Sequence, residues 1–418
     1  MNKLFECIEK GLMPPMIKIS EQRHLKAIRD GLIASMPLMI IGSIFLIIAF
    51  PPIPALAEVM APFIENLTLP VHATFEIMGL IAVFAIAYNL GKSYNLDGLT
   101  SGILSLSSFI LVTPRIEEGF QVVYMGSQGL FVAIIIAIVT VEIYRLIVNK
   151  NLIIKMPEGV PEAVGRAFGA LIPGLVVVLV FWVIRLSLNS FFKLSIFDVV
   201  ERVLQTPLKQ LGGSFLGGLI AVLLIQVLWS AGIHGISVVA SVMAPIWYAL
   251  AEENAAAKAA GEVLPNVMGQ QMMAIWIAVG GSGMVLALAI LFVWKAKSKH
   301  VKSLGKMTIW SSFFNISEPI MFGAPVVMNP ILIIPFILAP VAVYVITYLA
   351  MALNIVGRSY AVVPWTTPAP FSGILTTGDW KAGVLMIVGI LISMAIYYPF
   401  FRVWDNQIAE QEVEQKSS

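Results

Sequence analysis

The chain has 418 residues, of which 59% are hydrophobic and only 12% charged, with a mean hydropathy of +0.90 and a formal net charge of +2. Soluble domains carry about a quarter charged residues, so this apolar surplus requires lipid, not a large aqueous core, as its solvent. No basic tract with interleaved aromatics is present, which argues against nucleic acid as a partner. The single Cys7 excludes intrachain disulfides and CxxC chemistry, and the four scattered histidines hold no HExxH-type spacing, so no metal site and no cofactor are expected.

In chain order, the first apolar run, 32–50, follows about thirty residues rich in Lys and Arg, and Cys7 is expected reduced at a membrane surface. Pro54-Ala55-Leu56-Ala57 has the composition of a signal-peptidase site, yet the leading region and the apolar run are both too long for a cleaved signal. A retained first span is expected. Windows of about 20 apolar residues then place spans near 30–50, 72–90, 97–113, 127–149 and 165–190. Residues 191–211 alternate differently: Phe192, Ile196, Val199, Val200 and Val203 recur at helical spacing with charges opposite, as in a helix lying along the membrane surface. Beyond it, spans are expected near 213–231, 236–251, 270–295, 329–353 and 381–402, the one at 236–251 being short. Two further apolar stretches, 309–328 and 360–378, are interrupted by Pro, Gly and Asn and read as re-entrant hairpins, because broken backbone at membrane depth must line protein or a cavity.

The fold class is therefore an all-α polytopic membrane protein with about ten transmembrane helices, two re-entrant hairpins and amphipathic surface helices. Residues 1–190 form an N-terminal five-span scaffold and 191–212 an amphipathic linker. Residues 213–418 form a C-terminal transport module, where nearly all the interrupted helices fall. No repeat relates the halves. With both termini in the cytoplasm, 18 Lys and Arg residues fall inside and 7 outside, the asymmetry of the positive-inside rule.

Glu318 carries the strongest chemical signal. It lies in an apolar run, Asn315 to Pro325, with no Lys or Arg nearby after Lys306. A carboxylate at that depth is costly and marks a functional site by default; the alternative is a cap on a broken helix. His234, between the glycines of the block 231–235, is a second polar group, and its imidazole can exchange hydrogen bonds with a hydroxyl. In the third broken segment, Pro364 to Pro368, Trp365 offers a flat apolar face against which a pyranose can stack, or else anchors the chain at the membrane interface. The Gly126-Ser127-Gln128-Gly129 turn and the intraspan Arg185 carry weaker signals.

At these residues the sequence resembles a known family. The block NISEPIMFGAPVVMNPILIIPFILAP (315–340) is similar to the signature of the membrane-embedded IIC permease components of the bacterial sugar phosphotransferase system. The branch it resembles transports lactose, cellobiose and diacetylchitobiose. QRHLKAIRDGLIASMPLMIIGSIFLI (22–47), AGIHG (231–235) and VPWTTPAP (363–370) resemble the same branch, and the likeness runs end to end. It implies a homodimer joined through the first five spans. One disaccharide would sit in the C-terminal half, bound at Glu318 and His234, and would be carried by rigid-body movement; Asn315 and Trp365 are further candidate sugar contacts on the reading of the residues themselves. A phosphocysteine on a cytoplasmic IIB protein, itself charged by IIA, would phosphorylate the sugar on entry, so the chain would supply no catalytic residue of its own. Only 403–418 follow the last expected span, without a cysteine, which points to a separate IIB protein and towards a β-linked cellobiose- or diacetylchitobiose-type substrate. The expected location is the bacterial plasma membrane. Competing readings are a proton-coupled symporter using Glu318 and His234 as a relay and an intramembrane acyltransferase using them as acid and base.

Overall fold

The structure is a computed structural model, and it describes residues 14, 15, 18, 21–116, 119–154, 156, 157, 160–326 and 329–417. Cys7, and with it the expectation of a reduced surface thiol, lies outside the described residues. The first long helical unit runs through α1 (Arg23–Ile33) and α2 (Met36–Ala49), with Pro37 in the first turn of α2, where a missing N–H costs nothing. Next come α3 (Ile64–Phe75), α4 (Met78–Ser93) and α5 (Gly98–Val112). Asp97 starts α5 by accepting the Thr100 N–H at 2.8 Å, and extended Thr113, held out of the helical region by Pro114, ends it. A two-residue hairpin, Arg115–Ile116 against Gly119–Phe120, is the one strand pair among the described residues. Then follow α6 (Leu130–Asn149) and α7 (Leu171–Ser187).

The second half contains α8 (Phe215–Ser230), α9 (Gly235–Ala259), α10 (Val285–Lys295), α11 (Lys299–Phe313), α12 (Glu318–Gly323), α13 (Ile333–Ala352), α14 (Phe371–Thr377) and α15 (Trp380–Ser417). Helices α1 to α7 pack chiefly on one another, as do α8 and α10 to α15. Helix α9 joins the two groups, touching α1, α2, α3 and α6 on one side and α8 on the other. Two hydrogen bonds reinforce that junction: the Val362 N–H donates to Ser43 Oγ at 2.7 Å and the Tyr360 hydroxyl to the Phe50 carbonyl at 3.2 Å.

Several expected boundaries shift. Among the described residues, seven helices are long and apolar enough to cross a membrane, or eight if a pair bent by 71° at Ser214 counts as one. The expected span 97–113 is a 15-residue helix. The expected span 270–295 is not continuous: a π-helical turn, Met272–Trp276, leads into glycines 280, 281 and 283 with φ of 85°, 89° and 77°, and only Val285–Lys295 is regular helix. Conversely, 236–251 extends to Ala259, with Glu252 and Asn254 buried in the added turns, and 381–402 extends to Ser417. That last extension has a partner. Asp405 accepts the N–H groups of Lys297 and Ser298, and Glu412 those of Lys299 and His300, so two carboxylates satisfy the free donors at the start of α11.

The linker is also less regular than a single amphipathic helix. It comprises π-turns Leu188–Phe192 and Glu201–Gln205 and short helices Ile196–Val200 and Thr206–Gly212. Its expected apolar face splits: Val200 is buried along with Phe197, whereas Phe192 and Val203 are exposed.

Candidate functional site

The segments that fail to be regular helix converge. Helix α11 ends at Phe314 in a Schellman arrangement: the Ile316 N–H donates to the Ser311 carbonyl at 2.9 Å and the Asn315 N–H to that of Ser312 at 3.0 Å. The left-handed position, φ 62°, is filled by Asn315 where glycine is the commoner choice. Its side chain shows why. Oδ1 accepts the Gly280 N–H at 2.8 Å, and Nδ2 donates to the carbonyls of Trp365 at 2.6 Å and Thr367 at 3.1 Å. One buried amide thus ties the glycine-rich stretch before α10, the turn before α12 and the loop before α14. Gly281 then passes so close to the turn that a Cβ there would stand 2.5 Å from the Ser317 Cβ.

These three segments, with the end of α8 and the start of α9, enclose a cavity of about 390 Å³. Glu318, His234, Asn315 and Trp365 all line it. Glu318 opens α12 ahead of Pro319, is exposed, and its carboxylate accepts no hydrogen bond from any described residue; the carboxylate therefore does not cap α12. His234 caps α9: its Nδ1 accepts the Ser237 N–H at 3.4 Å and lies 2.8 Å from Ser237 Oγ. A backbone N–H can only donate, so in the neutral ring Nε2 carries the proton. The Trp229 ring lies 4.5 Å from the imidazole, centroid to centroid. Trp365 is 49% exposed, while Asn315 is buried with both of its donor hydrogens engaged by the protein.

The cavity also contains residues that the sequence did not single out. Gln226 and Gln271 line it, both are buried, and the Oε1 of each has no partner among the described residues; the same holds for the buried Trp229 Nε1. Buried polar atoms are nearly always hydrogen-bonded, so three orphans around one cavity suit a ligand rich in hydroxyls. A polar residue within an apolar helix was the available signal at Gln226, but a neutral amide stands out less than a carboxylate. Gly126 and Ser127, weak candidates in the sequence, meet Glu252 instead: the Ser127 N–H donates to Glu252 Oε1 at 2.5 Å. Arg185, partly exposed, donates to the carbonyls of Leu111 and Thr113, at 3.4 Å for the latter.

A helical protein with several membrane-length spans and an internal cavity of this lining is a multi-pass membrane protein of the permease class. The chain belongs to the EIIC family of the phosphotransferase system, whose family model matches residues 29–340. It is similar to the cellobiose-specific EIIC component of Geobacillus stearothermophilus, 48% identical with 99% of this chain and 96% of the relative covered. It is 46% identical to the lichenan permease IIC component of Bacillus subtilis (strain 168), at the same coverage of both chains. Among solved structures it matches the transporter ChbC, the IIC component of the N,N'-diacetylchitobiose-specific phosphotransferase system. There the TM-score is 0.93 and the identity 48%, covering 97% of this chain and 99% of that one. The chain is a sugar permease component of the phosphotransferase system, and proton-coupled symport finds no support in these comparisons.

Proposed function

We propose that the chain binds a β-linked disaccharide of the cellobiose or diacetylchitobiose type in this cavity and presents it for phosphorylation by a separate, IIA-charged IIB protein. The substrate preference follows the named specificities of relatives at 46–48% identity. The observation that carries the site is the convergence of Glu318, His234 and Trp365 on one cavity with the unpartnered amide oxygens of Gln226 and Gln271. A cavity of about 390 Å³ falls within the range of small-molecule sites. Glu318, a carboxylate with free lone pairs, accepts two sugar hydroxyls; the His234 Nε2–H donates to the oxygen of one of them, the one to be phosphorylated; Trp365 stacks on a ring face. Asn315 chiefly holds the three broken segments in register and reaches the sugar only through the remaining lone pair of Oδ1.

The packing of α1 to α7 apart from α8 and α10 to α15 supports a scaffold that dimerises through residues 1–190 and a module, 213–418, that moves as a rigid body. In that reading the short helices Gly98–Val112 and Val285–Lys295 complete ten crossings, while the α11–α12 turn and the loop before α14 are re-entrant. Both termini face the cytoplasm.

Calorimetric titration of Glu318→Gln with cellobiose and diacetylchitobiose tests the site. A hydrogen bond to a charged group contributes about 1.5–3 kcal/mol, so affinity falls roughly 10- to 100-fold. The amide replaces one acceptor with a donor and cannot restore both contacts. Binding within about threefold of wild type, in a folded variant, removes Glu318 from the site.

A further inference from the structure

The block 22–30 opens α1 with three cations spaced three apart, Arg23, Lys26 and Arg29. Residues at i and i+3 are neighbours on a helix surface, so the three form one basic ridge. Helix α1 packs against α9, which brings the inner end of the ridge to His234. Lys26 and Arg29, with Glu21, His234 and Ser237, line an open cleft of about 430 Å³. His234 lines the sugar cavity as well, so one imidazole borders both spaces. At the outer end the guanidinium groups of Arg23 and Arg145 stack on the Tyr94 ring at 4.4 and 4.2 Å.

The ridge retains binding capacity. Lys26 is exposed and its ammonium group makes no ion pair or hydrogen bond among the described residues. Arg29 uses Nε and Nη2 on a single oxygen of Asp30, at 3.0 and 2.9 Å, leaving Nη1 available. The sugar cavity, in contrast, holds a carboxylate and no Lys or Arg. A phosphoryl group carries about −1.5 to −2 charges near neutral pH, and its transfer depends on positioning and on neutralising that charge. Within this chain, Lys26 and Arg29 are cations that share a cleft with His234 and can supply countercharge from outside the cavity.

We propose that the Lys26–Arg29 cleft is the phosphoryl-reception site, where the donor protein's phosphothiol is held beside the sugar oxygen fixed by His234. This rests on the sugar-binding reading given under Proposed function. In the transfer, the phosphorus–sulfur bond breaks with its electron pair left on the donor thiolate, and a bond forms from phosphorus to the sugar oxygen. The hydroxyl proton passes to the Glu318 carboxylate, which also removes the one negative charge in the cavity. Lys26 supplies a point charge and Arg29 a directional N–H for the phosphoryl oxygens. Neither touches the sugar.

The test uses the full chain, cellobiose as the sugar probe and a phosphorylated IIB protein from a cellobiose system as the donor. In Lys26→Ala and Arg29→Ala, the rate of cellobiose phosphate formation at limiting donor falls about 10- to 100-fold. That is less than the loss of a buried oxyanion donor, because both cations are partly solvated. Calorimetric affinity for cellobiose stays within threefold, and in Lys26→Glu the rate falls further and loses much of its salt dependence. Lys92→Ala, a cation that sits over the Tyr88 ring at 4.9 Å and off the ridge, keeps its rate within twofold. An unchanged rate in the Lys26→Ala/Arg29→Ala double variant, or an equal loss in Lys92→Ala, overturns the reception site while leaving sugar binding intact. Failure of the wild-type chain to bind either disaccharide overturns the sugar reading instead, and with it the ridge.

Discussion

Asn315 shows how a single side chain can serve two structural roles that substitutions separate. Its left-handed φ of 62° ends α11, and its amide joins Gly280, Trp365 and Thr367. Asn315→Gly keeps the first role, because glycine adopts that conformation freely, and loses the second. Each buried group left unpaired costs about 1–3 kcal/mol. The expected outcome is a lowered Tm and sugar affinity weakened at least tenfold, measured by thermal unfolding and calorimetry; wild-type affinity would show that the amide does not hold the site. Gln271→Met separates stability from binding in the opposite sense. It removes a buried oxygen without a partner, so Tm holds or rises, while the sugar loses a neutral hydrogen bond of about 0.5–1.5 kcal/mol, a two- to tenfold weaker Kd. Glu318 and His234 were legible from sequence because polar side chains in apolar runs are expensive. Gln226 and Gln271 were not singled out, since a neutral amide at the same depth is a smaller anomaly and only the cavity gives it meaning.

At the scale of elements, what sequence periodicity misplaced is the stretch before α10. Glycine is common in membrane helices, so Gly280, Gly281 and Gly283 in an apolar run looked compatible with one continuous span. Their positive φ and the approach of Gly281 to Ser317 show a break instead. Gly281→Ala would place a methyl 2.5 Å from the Ser317 Cβ and at a φ of 89°, where side chains are strained. The expected cost is about 1–3 kcal/mol, seen as a lower Tm together with lost sugar binding. An Ala variant with unchanged Tm and Kd would mean that the two segments separate freely. The linker failed differently: helical spacing placed Val200 and Val203 on one apolar face, but a π-turn begins between them at Glu201, and one is buried and the other exposed.

Orientation belongs to the whole molecule. The 18-to-7 distribution of basic residues motivates cytoplasmic termini, with the loop after α9 outside. Val263, 89% exposed in that loop, and exposed Lys297 before α11 are suitable reporters, whereas Ser298 is buried against Glu412 and is not. In a Cys7→Ser background, an impermeant thiol reagent on intact cells is expected to modify Val263→Cys and to spare Lys297→Cys until the membrane is opened. The reverse pattern would invert the topology.

The membrane class, the helical architecture and the choice of Glu318 and His234 as candidate site residues came from the sequence by itself. The reason is energetic: apolar runs of membrane length have few alternatives to spanning helices, and a carboxylate among them is an exception that must be compensated. That the stretch before α10 breaks, which broken segments meet, and what surrounds an amide such as Asn315 or Gln271 were decided only by the tertiary structure. Those outcomes depend on contacts between residues distant in the chain, as between Gly280, Asn315 and Trp365, and hydropathy along a sequence carries no information about which distant backbone groups a side chain will find.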